Sequence, residues 1–353
     1  MDVSHLLDGL NAAQREAVSA PLGHHLILAG AGSGKTRVLI HRIAWLTEVC
    51  GVPAHGIFAV TFTNKAAGEM RHRIDLQLSK GSRGMWIGTF HGLAHRLLRL
   101  HWADAKLPEA FQVMDSDDQL RMVKRVVQQL ELDDSKYPPK QVMWWINTQK
   151  DEGRRPQHIQ PEPHDQWGET LRQAYAAYQE RCDRAGLVDF AELLLRAHEL
   201  LRDNPALLSH YRARFREILV DEFQDTNAIQ YAFVRVLAGD SGHVFVVGDD
   251  DQAEQFYTGQ RPRCPLAGSP LGGLQTTGVR PRHQDHPLAD RPARPPAANS
   301  VFTTGHCRRK GGDPGAAVTA QPPPPGRGLR IPNGETNRRS VNPTRLGLDV
   351  RTQ

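Results

Sequence analysis

Cysteine is scarce in this 353-residue sequence, and long hydrophobic runs are missing from it altogether. The four cysteines, Cys50, Cys182, Cys264 and Cys307, form no Cys-X-X-Cys pair, which argues against a zinc ribbon, a redox motif or a disulfide framework. No run of 18 apolar residues occurs, and the N-terminus lacks the charged and then apolar segments of a signal peptide. We therefore expect a cytoplasmic protein with reduced thiols and no membrane partner.

Basic and acidic residues are unevenly distributed along the chain. The formal net charge is +5, but residues 253–353 hold 15 of the 44 Lys and Arg residues and only 6 of the 39 Asp and Glu residues. The remaining 29 basic and 33 acidic residues give residues 1–252 a net charge of −4. The basic character of the chain therefore belongs to its C-terminal segment and does not by itself assign a nucleic-acid partner to the rest.

The C-terminal segment 253–353 also differs from the rest in proline and glycine content. It holds 15 of the 24 prolines and 13 of the 31 glycines, and its basic residues are 14 arginines and Lys310. Such a composition cannot bury enough apolar surface to offset the entropy lost on folding, so it predicts disorder. Two explanations stay open: a natural linker or arginine-rich nucleic-acid arm, or out-of-frame translation of a G+C-rich gene.

Residues 1–252 show the pattern of an α/β domain. Short apolar runs that end at glycine-rich or polar turns predict buried parallel strands, and the first three are each followed by a helical pattern. Repeated strand–turn–helix units build a parallel sheet with helices on both faces, and ligands bind at the carboxyl ends of the strands. The predicted strands are 26–28, 57–61, 85–87, 218–220 and 244–247, and the predicted helices are 35–46, 64–78 and 91–100.

Residues 102–215 have a helical character without clear strands. Because the predicted strands resume at residue 218, we interpret this segment as an α-helical insertion in the sheet domain. The predicted sheet domain therefore comprises 1–101 and 216–252. The insertion has predicted helices at 119–130, 167–183 and 189–201. Its aromatic residues Trp144, Trp145, Tyr175 and Tyr178 are expected to pack inside it, and stacking on nucleic-acid bases is the alternative.

A glycine-rich loop, Ala29-Gly-Ala-Gly-Ser-Gly-Lys-Thr36, follows the first predicted strand and opens a helix. In a phosphate-binding loop of this kind, successive backbone N–H groups and the helix dipole converge on the phosphates. Lys35 is expected to neutralise the β- and γ-phosphates, and Thr36 to place its hydroxyl on Mg²⁺. Ala29 stands where the strict pattern has glycine. The residues of this loop predicted to bind nucleotide are Ala31, Gly32, Ser33, Gly34, Lys35 and Thr36.

Two carboxylates, Asp221 and Glu222, follow the apolar run 218–220. A carboxylate that leaves a buried strand beside a phosphate-binding loop can hold Mg²⁺, and a second one can orient and deprotonate an attacking water molecule. We therefore predict Asp221 as a metal ligand and Glu222 as the general base. The reaction that these residues imply is hydrolysis of a nucleoside triphosphate.

Seven motifs in residues 1–252 resemble, in type and order, those of UvrD/Rep/PcrA-type superfamily 1 DNA helicases. The resemblance implies a RecA-like P-loop motor domain, called 1A, interrupted by a helical insertion, called 1B. The motifs are Leu10-Asn-Ala-Ala-Gln14-Arg-Glu-Ala-Val18, Ala29-Gly-Ala-Gly-Ser-Gly-Lys-Thr-Arg37, Thr61-Phe-Thr-Asn-Lys-Ala-Ala67, Gly88-Thr-Phe-His91-Gly-Leu-Ala-His95, Gly186-Leu-Val-Asp189-Phe-Ala-Glu192, Asp221-Glu-Phe-Gln-Asp-Thr226 and Val247-Gly-Asp-Asp-Asp-Gln252.

The resemblance also implies an activity and its cofactors. It implies ATP-dependent 3′-to-5′ DNA unwinding in repair, with ATP and Mg²⁺ as cofactors. Single-stranded DNA, junctions of single-stranded and duplex DNA, and repair proteins would be the partners. By the same resemblance Gln14 would recognise the adenine edge and Arg37 would assist at the phosphates. Gln224 and Gln252 would couple the state of the γ-phosphate to the DNA track, which makes Gln252 a catalytic residue beside Lys35 and Glu222.

The residues that correspond to the family's single-stranded DNA contacts are Phe62, Asn64, Lys65, Thr89 and His91. An aromatic face stacks any base, while hydroxyl, amide and ammonium groups hold the backbone, so such contacts tolerate any sequence. The residues themselves leave a second interpretation open. Phe62 is also suited to a core position at a strand end, and His91 to a helix start where it bonds the backbone.

The resemblance ends at Gln252. The family continues with S-I-Y-G-W-R-G-A and a second RecA-like domain, whereas this sequence continues with Ala253-Glu-Gln-Phe-Tyr-Thr-Gly-Gln260. A second lobe supplies charge that stabilises the transition state, so we expect one lobe alone to turn over slowly. Two hypotheses remain: a truncated or frameshifted copy of a DNA helicase, or a single-lobe module that binds ATP or single-stranded DNA without unwinding.

Overall fold

The computed structural model describes residues 3–30 and 32–249 and the backbone of residues 275–279. In this part of the chain, no helix is both long enough and apolar enough to cross a membrane.

Six parallel strands form a central sheet. The strands within the described residues are β1 (His25–Ala29), β2 (Ile57–Thr61), β3 (Trp86–Thr89), β4 (Gln112–Val113), β5 (Leu187–Val188), β6 (Glu217–Val220), β7 (His243–Gly248) and β8 (Gln275–Val279). The order across the sheet is β3-β2-β6-β7-β1-β8, and every neighbouring pair is parallel. The predicted α/β fold with a parallel sheet is therefore confirmed.

Polar residues start most of the helices. Asn11, Thr63, Thr89 and Asp189 are among the N-cap residues whose side chains accept a backbone N–H of the first turn, as expected for residues of these types. The helices are α1 (Ala12–Ser19), α2 (Lys35–Glu48), α3 (Asn64–Gln77), α4 (Phe90–Leu100), α5 (Ser116–Gln129), α6 (Pro139–Asp151), α7 (Gln166–Ala185), α8 (Phe190–Asp203), α9 (Pro205–Arg214) and α10 (Ala228–Ala238).

Successive side chains of the central strands enter two different hydrophobic cores. In β2, Phe58 and Val60 belong to the core that also includes residues of α4, α8 and α10, while Ile57 and Ala59 belong to the core under α1, α2 and α3. The alternation follows from the period of two in a β-strand. Because both faces are covered, the strands read as continuous apolar runs, which is why the sequence predicts them well.

Part of the segment predicted to be an insertion has a hydrophobic core of its own. Helices α5, α6 and α7 enclose a third cluster that includes Val126, Ile146 and the two buried tyrosines, Tyr175 and Tyr178. Helix α8 packs instead against the core of the sheet. The expectation that Trp144 packs inside the insertion is wrong, because 68% of this residue is exposed.

Strands β4 and β5 lie in residues 102–215, where the sequence shows no clear strands. They form a two-residue parallel pair at the points where the chain enters α5 and leaves α7, in which Gln112 N donates to Gly186 O at 2.9 Å. A pair of this length carries no periodic signal in the sequence. The predicted boundaries of the sheet domain and the insertion stay predictions.

Strand β8 lies within the segment that the composition predicts to be disordered. It pairs in parallel with β1 from His25 and Gln275 to Ala29 and Val279. Main-chain hydrogen bonds at a sheet edge do not require apolar side chains, so this composition is compatible with the pairing. The disorder of 253–353 stays a prediction. The rest of 253–353 lies outside the described residues.

Candidate nucleotide-binding and DNA-binding site

The glycine-rich loop connects β1 to the start of α2. Gly32 and Gly34 have φ angles of +73° and +86°, in the left-handed region that favours glycine. A Cβ atom at Gly34 would lie 3.1 Å from Nε2 of Gln14. A residue with a side chain would therefore meet both a strained backbone conformation and little space at this position. These φ angles permit the tight turn into α2, and the first N–H groups of a helix, which have no partner within it, are the donors that a phosphate site uses. Ala31 lies outside the described residues.

Lys35, the first residue of α2, lies between two carboxylates. Its Nζ atom is 3.5 Å from Oε2 of Glu222 and 3.3 Å from Oδ2 of Asp249, and its side chain is 9% exposed. Glu222 follows β6 and Asp249 follows β7, which are neighbours in the sheet. The fold therefore places the ammonium group at the carboxyl ends of the strands, where it forms ion pairs with the carboxylates that follow β6 and β7.

Thr36 and Asp221 are in direct contact, although 185 residues separate them in the chain. Thr36 Oγ1 donates to Asp221 Oδ2 at 3.1 Å, and Asp221 is 2% exposed. Burial raises the pKa of Asp221, and the hydrogen bond from Thr36 opposes that rise. The two residues predicted as magnesium ligands therefore present a hydroxyl and a carboxylate at one point.

Gln224 connects Glu222 to the end of β7. Its Nε2 donates to Glu222 Oε2 at 2.8 Å, and its Oε1 accepts the backbone N–H of Asp249 at 3.0 Å. Asp249 is a site residue that the sequence prediction missed. The available signal was its position two residues after the end of the predicted strand 244–247. Gln252, predicted to couple the γ-phosphate to DNA, lies outside the described residues.

Gln14 and Arg37 flank the loop. Gln14 is buried, and its Nε2 donates to the backbone carbonyl of Ser33 at 2.8 Å, which holds the loop. Its Oε1 accepts the N–H of Asn11 in a capping box at the start of α1. Arg37 is exposed, and its Nη2 atom lies 2.8 Å from the position that a Cβ would take at Gly9. The structure thus places Gln14 at the loop and directs Arg37 toward Gly9.

The residues at the loop fit a magnesium–nucleotide complex. Within the described residues, Ser33 Oγ and Asp249 Oδ1 are buried here without a hydrogen-bond partner. The same part of the chain has no group of three or more His, Cys, Asp or Glu side chains placed to hold a metal ion. Thr36 and Asp221 offer oxygen ligands, and Mg²⁺ typically uses one or two protein oxygens together with phosphates and water.

Phe62, Asn64 and Lys65 follow β2 at the same edge of the sheet. Asn64 and Lys65 are exposed in the first turn of α3, while Phe62 is half-buried, with its ring centre 5.6 Å from that of Phe90 in an edge-on contact. The amide and the ammonium group are therefore free to meet a ligand, and Phe62 combines a packing contact with an accessible surface.

Thr89 and His91 lie at the end of β3 and the start of α4. Thr89 is buried, and its hydroxyl accepts the N–H of Gly92 at 3.1 Å, so this hydroxyl already caps the helix. His91 is half-buried, and burial lowers its pKa. Its ring centre is 5.9 Å from that of Phe190 in an edge-on contact, and Phe190 is 54% exposed. Phe190 is not among the predicted site residues; the signal for it in the sequence was an aromatic residue directly after a candidate helix-capping aspartate.

The residues predicted to bind nucleotide and those predicted to bind DNA lie along the same side of the sheet, at the carboxyl ends of its strands, because all these strands are parallel. Thr61 is the register partner of Thr89, and Asp221 N donates to Val60 O at 3.0 Å. The residues predicted to bind nucleotide follow β1, β6 and β7, and the residues predicted to bind DNA follow β2 and β3. Three strand spacings separate β1 from β2, a distance of about 14 Å at the usual spacing between strands.

Comparison with known proteins identifies relatives of the N-terminal part. A family model described as the UvrD/REP helicase N-terminal domain matches residues 10–254. The chain is 64% identical over 261 residues to DNA helicase II of Escherichia coli (strain K12), an alignment that covers 73% of this chain and 36% of that protein. It is 38% identical over 256 residues to ATP-dependent DNA helicase PcrA of Bacillus subtilis (strain 168), covering 72% and 35%. The chain spans about a third of the length of these relatives.

Proposed function

Because the chain belongs to the UvrD/REP helicase family, through the N-terminal domain of that family, we propose that it binds ATP and single-stranded DNA as the first motor lobe of a DNA repair helicase. The observation that carries the proposal is the meeting of Lys35, Thr36, Asp221 and Glu222 at the carboxyl edge of the sheet. Unwinding with 3′-to-5′ polarity, action at junctions and contacts with repair proteins belong to the proposal, since the chain spans only part of its relatives.

The residues of the loop would hold the nucleotide by charge and by backbone donors. Lys35 would neutralise the phosphates, and the backbone N–H groups at Gly34 and the start of α2 would donate to them. Thr36 and Asp221 would hold Mg²⁺, which supplies charge stabilisation to the phosphoryl group that is transferred.

Glu222 is suited to act as the general base. Its φ angle of +49°, two residues after the end of β6, lies in the left-handed region, a backbone strain that is frequent at functional sites. Gln224 donates to one carboxylate oxygen and fixes its orientation, while the side chain remains 37% exposed. A water molecule at that carboxylate would be oriented and would lose its proton to Glu222 as it attacks.

An ATPase assay of the purified chain with and without oligo(dT) tests the proposal. We expect oligo(dT) to increase the rate of ATP hydrolysis, and Lys35→Ala to abolish both the basal and the stimulated rate. Lys80→Ala, which removes an exposed lysine in the turn after α3, is the matched control and should behave as the wild type. Equal rates for Lys35→Ala and the wild type would exclude this site as the source of hydrolysis.

A second candidate is a module that binds ATP and single-stranded DNA without turnover. It is favoured by one observation: in the described residues, Lys35 is the one basic side chain paired with the carboxylates of the site. An additional arginine at the transferred phosphoryl group can be worth several orders of magnitude in rate. Binding of a fluorescent ATP analogue that Lys35→Ala abolishes, together with no hydrolysis above background, would support the module.

A further inference from the structure

A buried ion pair links the end of α6 to the start of α8. Lys150, near the end of α6, is 0% exposed, and its Nζ atom lies 2.6 Å from Asp189 Oδ2 and 3.0 Å from Glu192 Oε2. Both carboxylates are buried. Burial alone would lower the pKa of Lys150, but the charges of Asp189 and Glu192 raise it overall, so the ammonium group stays charged.

Both oxygens of the Asp189 carboxylate accept hydrogen bonds. Oδ2 accepts from Lys150 and from the Tyr178 hydroxyl at 2.7 Å, and Oδ1 accepts the backbone N–H of Glu192 at 2.8 Å as the N-cap of α8. Three donors from α6, α7 and α8 thus fix one carboxylate in a single orientation. Because that carboxylate caps α8, the same contacts fix the direction in which the helix begins.

Phe190, which follows Asp189, is an exposed aromatic residue beside His91, one of the residues predicted to bind DNA. Phe190 is the first residue of α8, and its ring contacts His91 edge-on. The neighbouring residues Ala191 and Glu192 are buried, so the rotation of the first turn decides that Phe190 faces outward. An exposed aromatic that is held in one place stacks on a base at a lower entropic cost than a mobile one.

Stability alone is a weak explanation for this pair. A buried ion pair is often no more stabilising than apolar residues of the same volume, whereas it does specify geometry. Arg155 offers a comparison inside the same network. Its guanidinium donates to Glu192 at 2.8 Å and to Glu199 at 2.9 Å, and within the described residues it makes no hydrogen bond or ion pair with Asp189.

We propose that Lys150 is a positioning residue for single-stranded DNA, which acts by neutralising Asp189 and thereby holding Phe190 beside His91. This inference rests on the DNA binding in the proposed function and adds to it a fully buried residue that is not among the predicted DNA contacts. Lys150 acts through Asp189 and Phe190 and has no contact with DNA itself.

Fluorescence anisotropy with a labelled oligo(dT) and the full chain tests the inference. We expect Lys150→Met to weaken oligo(dT) binding about tenfold, as loss of one stacked base does, and Arg155→Met to leave the affinity within about twofold of the wild type. Both variants break the buried network, so both should lower the Tm. Equal weakening of DNA binding by the two variants would overturn the inference, because general destabilisation would then explain it.

A double-mutant cycle with Phe190→Ala separates positioning from a merely structural role. If Lys150 acts through Phe190, Lys150→Met should have no further effect on oligo(dT) affinity in the Phe190→Ala background; a full additional loss would overturn the inference. Should Lys150→Met fail to fold, Tyr178→Phe removes a single donor to Asp189 and should show a smaller loss that also vanishes with Phe190→Ala. No oligo(dT) binding by the wild type would instead contradict the proposed function, whereas normal binding by Phe190→Ala would contradict only this inference.

Discussion

Asp221 is almost fully buried beside Thr36, and burial holds its pKa above the ordinary value. A carboxyl group whose pKa is higher in the folded than in the unfolded chain binds its proton more tightly when folded. At every pH above both pKa values, the ionised side chain therefore lowers the free energy of unfolding. A residue that would hold Mg²⁺ in the complex thus destabilises the free protein, as is common for functional sites.

Asp221→Asn should therefore stabilise the free chain while it removes magnesium-dependent ATP hydrolysis. The amide can keep both local contacts, because the Thr36 hydroxyl can accept as well as donate. We expect the Tm to rise by a few degrees at pH 7, and the gain to shrink as the pH falls toward the pKa of aspartate in the unfolded chain, about 3.9. Thermal unfolding monitored by fluorescence across this pH range would test it; a lower Tm at pH 7 would contradict the argument.

Among the elements, glycine has opposite effects on stability in the loop before α2 and in α3: it is required in the loop and destabilising in the helix. Gly34 has a left-handed backbone and little space, whereas Gly68 is an exposed helical residue where an added Cβ meets no described atom within 4 Å. Gly34→Ala should lower the free energy of unfolding by about 1–2 kcal/mol and weaken nucleotide binding. Gly68→Ala should raise it by about 1 kcal/mol. Urea denaturation of both variants would show effects of opposite sign, and effects of the same sign would refute the assignment.

Elements were predictable from the sequence where one local rule dominates. The five predicted strands agree with the structure to within about two residues, because buried parallel strands are short apolar runs between turns. The contacts of Asp249 with Lys35 and of Phe190 with His91 were not predictable. They join segments that are remote in sequence, and nothing in their local patterns records which partner they meet. Trp144 was misassigned for a related reason, since an aromatic residue in a helix can face either way.

At the scale of the whole molecule, the distribution of charge constrains how DNA could bind. Residues 1–252 carry a net charge of −4, so long-range attraction for DNA is weak and local groups such as Lys65 must provide it. We expect a shallow dependence of oligo(dT) affinity on salt, with each phosphate contact contributing a slope of about −0.7 in the logarithmic plot. Lys65→Ala should reduce that slope by about one such contact, while Lys80→Ala leaves it unchanged. A steep slope that Lys65→Ala does not alter would place the contacts elsewhere.

The change of composition after Gln252 leads us to predict a frameshift in the gene. The family model matches up to residue 254, and the following residues have 14 arginines to one lysine and 15 prolines, without the periodicity of an α/β domain. Out-of-frame translation of a G+C-rich gene produces this composition, whereas an arginine-rich arm that binds nucleic acid would be encoded in frame. We therefore expect one of the two other reading frames downstream of codon 252 to encode the aromatic stretch Y-G-W-R-G and then a second RecA-like domain. Resequencing the locus and translating all three frames provides the measurement. If no frame contains that stretch, residues 253–353 are an authentic part of the protein, and binding of the full chain to nucleic acid should then weaken when their arginines are replaced.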